Sequence, residues 1–148
     1  MRVWLALMIA SLPTLLPSPA ASQEKAPHPE PRVVIDVTTP KASKSGAAVQ
    51  AAARRGFWGK AVGCYKQSAK DAPALEIDAT LTTDVRGGAV KRADFKKGKQ
   101  GKRSREQQKK VDAVGRCLAK QIVGLEMPKS ARGFFTLQVH IRPGDRVP

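Results

Sequence analysis

Two periods alternate along this chain, and together they predict six elements. Arg32 to Val37 places Val33, Ile35 and Val37 on one face of a short strand that stops near Pro40. From about Ala47 to Lys70 the spacing lengthens to four. Val49, Ala53, Phe57, Ala61, Tyr65 and Ala69 form the stripe of a helix, with Trp58, Val62 and Cys64 beside it. Leu75 to Thr82 alternates strictly: Leu75, Ile77, Ala79 and Leu81 fall on one side, and Glu76, Asp78, Thr80 and Thr82 on the other. That is the pattern of a half-buried strand. Asp84 to Gly88 supplies turn residues that accept positive φ and predicts a hairpin. The return strand, Ala89 to Phe95, is blurred by Lys91 and Arg92, which suits an edge strand or a bulge. A second helix follows a capping box, Ser104 to Gln107, and carries Val111, Val114, Leu118, Ile122 and Leu125, ending near Gly124 and Pro128. The last strand turns Phe135, Leu137, Val139 and Ile141 inward and Thr136, Gln138 and His140 outward, and Pro143-Gly144 stops it.

The order strand, helix, strand, strand, helix, strand predicts an α+β sandwich, two helices on one face of a small, mainly antiparallel sheet. Gly56, Gly59 and Gly63 each cost the first helix about 1 kcal/mol relative to alanine, a cost that close approach of helix to sheet would explain.

The N-terminus changes the context. Arg2 precedes an apolar run from Val3 to Ala10, extended by Leu12 to Leu16, and the small residues Ser18, Ala20 and Ser22 follow. Residues 1–22 read as a secretory signal peptide with cleavage after Ala20 or Ser22. Pro13 and Pro17 interrupt a run that, as a retained anchor, would need about 20 apolar residues, so no stable membrane insertion is expected after cleavage. Residues 23–31 form a Pro-rich, extended spacer, and 32–148 a single domain. The protein is therefore expected to be exported, periplasmic or secreted. In an exported chain the two cysteines, Cys64 and Cys117, suggest a disulfide. The rival reading, a redox or catalytic thiol, lacks a CxxC and any histidine nearby in sequence. If they pair across the helices, Gly63 and Gly115 are expected to ease the approach.

The formal charge of +15 points to polyanions. Its densest part holds Lys91, Arg92, Lys96, Lys97, Lys99, Lys102, Arg103, Arg105, Lys109 and Lys110 within twenty residues, against Asp94 and Glu106. This segment reads either as a solvated loop or as a contact for lipopolysaccharide or cell wall. Nucleic acid is not expected as a partner: export argues against it, and Phe95 is the one aromatic side chain near the segment for base stacking. No catalytic set emerges, and neither a metal nor another cofactor is expected. His28 sits in the spacer, and His140 on an outward strand face. Glu76 and Asp78 share an outward face where cross-strand ion pairs fit better than acid–base chemistry. No phosphate-binding glycine loop, metal-spaced His/Cys set or nucleophile elbow is present.

Over roughly 45–142 the chain resembles the AgmX/PglI C-terminal domain family, whose fold is similar to the C-terminal domain of TonB. The resemblance rests on Cys64-Tyr65 in a helix before Pro73, on Asp84 with Gly87-Gly88-Ala89-Val90 between two strands, and on Cys117-Leu118 followed by Met127-Pro128 and a Phe/Val/Ile-rich strand. Lys66 stands where the family usually has an acid, Met127 where it has Phe, and the basic segment from Lys96 to Lys110 is longer. The resemblance implies a non-enzymatic envelope module that works by protein contact. Either Ala89–Phe95 or Phe134–Ile141 is expected to form the sheet edge that accepts a partner strand.

Overall fold

Six elements follow one another as β1 (Arg32–Thr38), α1 (Gly46–Ala69), β2 (Ile77–Arg86), β3 (Ala89–Lys96), α2 (Arg105–Ile122) and β4 (Gly133–Arg142). The computed structural model describes residues 30–38, 45–69, 71–72, 74–97 and 102–144. The expected signal peptide, His28 and Lys99 lie outside the described residues. Pro31, expected in the spacer, is buried, and Glu30 pairs with Lys66 of α1 at 3.5 Å, so the packed domain begins slightly before β1.

The strands form one antiparallel sheet in the order β1-β4-β2-β3, and the helices cover one face of it, as the α+β pattern predicts. Inward residues alternate with outward ones as the periods require: Ile77, Ala79, Leu81 and Val85 of β2 meet Phe135, Leu137, Val139 and Ile141 of β4 in the core. Thr83 is a polar member of this layer, fully buried, and its hydroxyl donates to the Phe135 carbonyl at 3.1 Å. Gly87 and Gly88, at φ 60° and 77°, make the two-residue hairpin turn, where positive φ favours glycine. β2 runs on to Arg86, so the turn is shorter than Asp84 to Gly88. Val85 pairs with Val90 and Asp84 with Arg92, leaving Lys91 as the extra residue of a bulge.

The two helices bury themselves differently. In α2 the Ser104 side chain caps the Gln107 amide while the Gln107 side chain caps Ser104. Its buried residues, Val111, Val114, Gly115, Leu118 and Ile122, hold to one face. In α1 every expected stripe residue is buried, but spacing by four advances about 40° per step on a helix of 3.6 residues per turn. The buried line therefore winds round α1. Its first half rests on β1, where Arg54 Nε donates to the Ile35 carbonyl at 3.0 Å. Its last turn faces the link to β2, where the Tyr65 hydroxyl donates to the Leu75 carbonyl at 2.9 Å.

The helices lie side by side and antiparallel. Cys64 and Cys117 are joined by a disulfide with Cα atoms 5.7 Å apart. One turn away the Lys60 ammonium donates to the Gln121 carbonyl at 3.1 Å, and a further turn away Gly56 lies under Leu125. A Cβ on Gly56 would come within 2.5 Å of Leu125 Cδ1. The glycine expectations are corrected: Gly56 makes room for the segment after α2 and not for the sheet. Gly59 and Gly63 have open space where a Cβ would sit, so neither serves a close approach. Gly115 makes room for the Phe95 ring of β3, whose atoms would lie 2.4 Å from a Cβ, and not for α1.

Candidate interaction surface

Strand order decides which backbone is free. β4 pairs with β1 on one side and β2 on the other, so Phe134–Ile141 is a central strand and has no edge to offer. That expectation fails because alternation reports which face a residue takes, and is silent on which strand lies beside it. The edges are β1 and β3. The middle of β1 is overlaid by α1: besides the bond to Ile35, Arg54 pairs with Asp36 at 3.1 Å, and Gln50 reaches the same carboxylate at 3.5 Å. The start of β3 is also occupied. Val90 N–H donates to Leu125 O at 3.0 Å, Gly124 N–H to Val90 O at 2.8 Å, and Met127 N–H to Gly88 O at 2.8 Å. The pairing stops at the Lys91 bulge. Among the described residues no strand pairs with the outer edge of β3 from Arg92 to Lys96, about 17 Å of extended backbone.

The basic segment does not stay together. Lys91 sits in the bulge and Arg92 pairs with Asp94 at 2.9 Å on the open sheet face, where register also places Lys96 opposite Thr80. Lys97 turns to the helix side and pairs with Asp112 of α2 at 3.5 Å. Arg103 leaves the group, lying 3.6 Å from Asp78 and donating to the Glu76 carbonyl. Lys102, Arg105 and Lys109 are exposed, while Lys110 is half-buried. What the end of β3 and α2 bring together is Lys97 with the first turns of α2, while Lys96 stays on the open sheet face. Arg116 and Lys120 were missed by reading local density. Spacing reveals them: Arg105, Lys109, Arg116 and Lys120 fall within an arc of about 60° on the exposed side of α2.

The acidic pair behaves as the sequence suggests. His140 Nδ1 lies 2.7 Å from Asp78, Arg142 bonds Glu76 and lies 3.8 Å from Asp78, and Arg103 completes the network. These contacts tie β4, β2 and the segment before α2 together at one end of the sheet. A depression of about 330 Å³ beside them is lined by Leu75, Glu76, Arg103 and Gln107. No cysteine in the chain is a free thiol, since both are in the disulfide. Among the described residues no cluster of His, Cys, Asp or Glu could hold a metal ion, and no helix is long and apolar enough to cross a membrane.

No family model, no curated protein and no solved structure matches this chain.

Proposed function

We propose that the chain is a non-enzymatic, exported protein-interaction module of the cell envelope, of the AgmX/PglI C-terminal type, and that its partner docks on the β3 edge. One observation carries this reading: among the described residues nothing pairs with the outer edge of the sheet from Arg92 to Lys96, although residues 88–90 of the same strand are already bonded by the segment 124–127. An edge of this kind binds by adding a strand, with main-chain bonds for affinity and alternate side chains for selection. Lysines on an edge also discourage promiscuous pairing, so the partner must suit the charges of Arg92 and Lys96. A second reading, contact with lipopolysaccharide or cell wall through 91–110, draws on Lys91, Lys96, Lys102, Arg105 and Lys109, which have no carboxylate within ion-pair distance among the described residues.

The test is photo-crosslinking in cells, with the crosslinker placed at Lys96 or, as a control, at Gln138 on the open face of central β4. Edge docking predicts a discrete protein adduct from position 96, retained in high salt, and none from 138. Adducts from 138 alone, or recovery only of envelope polymer that high salt removes, would defeat the edge reading.

A further inference from the structure

Charge is divided unevenly between the two layers. α1 contains Arg54, Arg55, Lys60 and Lys66 and no acid. α2 contains Arg105, Lys109, Lys110, Arg116 and Lys120 against Glu106 and Asp112. The helix layer thus holds nine cations and two acids, and one of those acids is already taken by Lys97. The four strands hold six cations and four acids, and all four acids sit in ion pairs. The surplus therefore lies on the side of the molecule that the helices present to solvent.

The shape of that side matters as much as its sign. The helices are antiparallel neighbours, held level by the disulfide and by the Lys60–Gln121 bond, so they form a plane. At 1.5 Å per residue and a usual helix spacing of 8–10 Å, this plane measures roughly 30 Å by 20 Å. Gly59 and Gly63 are exposed with nothing near them, which keeps the α1 half low. On α2 the exposed cations run along the whole helix; on α1 Arg55 is exposed, and Lys60 stands at the seam. Cations spread over a plane suit a two-dimensional array of negative groups better than a single thread of polymer.

We propose that the outer face of the α1–α2 layer, through Arg55, Lys60, Arg105, Lys109, Arg116 and Lys120, rests on the anionic headgroups of a lipid bilayer. Binding is peripheral and electrostatic. It leaves the β3 edge, at the side of the molecule, free for a partner, and it stands independently of the edge reading. Each cation near an anionic surface changes the partition by about fivefold, and the attraction fades once the Debye length shrinks from about 10 Å at 0.1 M salt to 3 Å at 1 M.

The test is co-sedimentation of the oxidised mature chain, residues 23–148, with vesicles of phosphatidylcholine alone or with one-third phosphatidylglycerol. Three double variants are compared with the parent: R105Q/K109Q and R116Q/K120Q on the helix face, and R92Q/K96Q on the sheet. The proposal expects binding that requires phosphatidylglycerol, falls about 25-fold in each helix-face variant, is unchanged in the sheet variant, and is lost in 1 M salt. Equal losses in all three variants would mean net charge alone acts, and binding unchanged in the helix-face variants would exclude this face; either overturns the proposal. So does equal binding to pure phosphatidylcholine, or retention by soluble polyphosphate with none by vesicles. The crosslinking at Lys96 reads the edge separately, so either idea can fail alone.

Discussion

Tyr65 shows how one side chain secures a junction. It sits in the last turn of α1, is 6% exposed, and donates its hydroxyl to the Leu75 carbonyl just before β2. Burial pushes its pKa above the ordinary phenol value of 10.0. An unfolded tyrosine ionises near 10.0, whereas the folded one holds its proton to higher pH. Between those two points unfolding releases a proton, so this contribution to stability is complete below the unfolded pKa and falls as pH climbs through the folded one. The chain has one tyrosine, so phenolate absorbance reports this residue alone. The titration is expected above the midpoint of the urea-unfolded protein. Tyr65→Phe is expected to cost about 1–3 kcal/mol at neutral pH, by leaving a buried carbonyl unpaired, and to remove this residue's share of the alkaline loss. Denaturant melts at neutral and alkaline pH measure both effects; coincident titrations of folded and unfolded protein would contradict the argument.

At the scale of elements, the glycines separate two effects that sequence leaves merged. Gly63 lies in mid-helix with open space where a Cβ would go, so Gly63→Ala should stabilise by about 0.5–1 kcal/mol through backbone entropy alone. Gly115 has the same propensity cost but sits under the Phe95 ring, and Gly115→Ala should destabilise by about 1–3 kcal/mol as the ring is displaced. Phe95→Leu should relieve most of that penalty, and urea midpoints for the four proteins check the opposite signs. The sequence states the propensity and cannot state the neighbour. The same division explains what was legible elsewhere. Periods of two and four placed all six elements, and the cap at Ser104 with Gln107 could be read directly, because these signals are local. That β4 lies between β1 and β2 depends on pairing across long stretches of chain, which no local period encodes. The candidate surface followed the same rule. Lys91 to Lys110 stood out by density, but folding sent Arg92, Lys97 and Arg103 to separate carboxylates. Arg116 and Lys120 joined Arg105 and Lys109 only through helical geometry.

For the molecule as a whole, the disulfide decides how the layers are held. Cys64 and Cys117 are 53 residues apart, and the loop they close contains all of β2 and β3, while β1 and β4 lie outside it. The bond therefore confines the hairpin in the unfolded chain, and in the folded one it fixes the helix layer that spans the sheet. Loop-closure entropy at this length is worth about 4 kcal/mol, a large part of the 5–15 kcal/mol typical of a domain. Replacing both cysteines with alanine should lower unfolding free energy by about that amount and raise the denaturant slope, because the uncrosslinked chain exposes more surface when it unfolds. Cys64 is only 2% exposed and Cys117 is half-buried against the core, so reductant should reach the bond mainly when the helices part. The reduction rate should then rise with sub-denaturing urea, and thiol labelling over time reads it directly. A rate independent of urea would mean that the sulfurs are reached without parting α1 from α2.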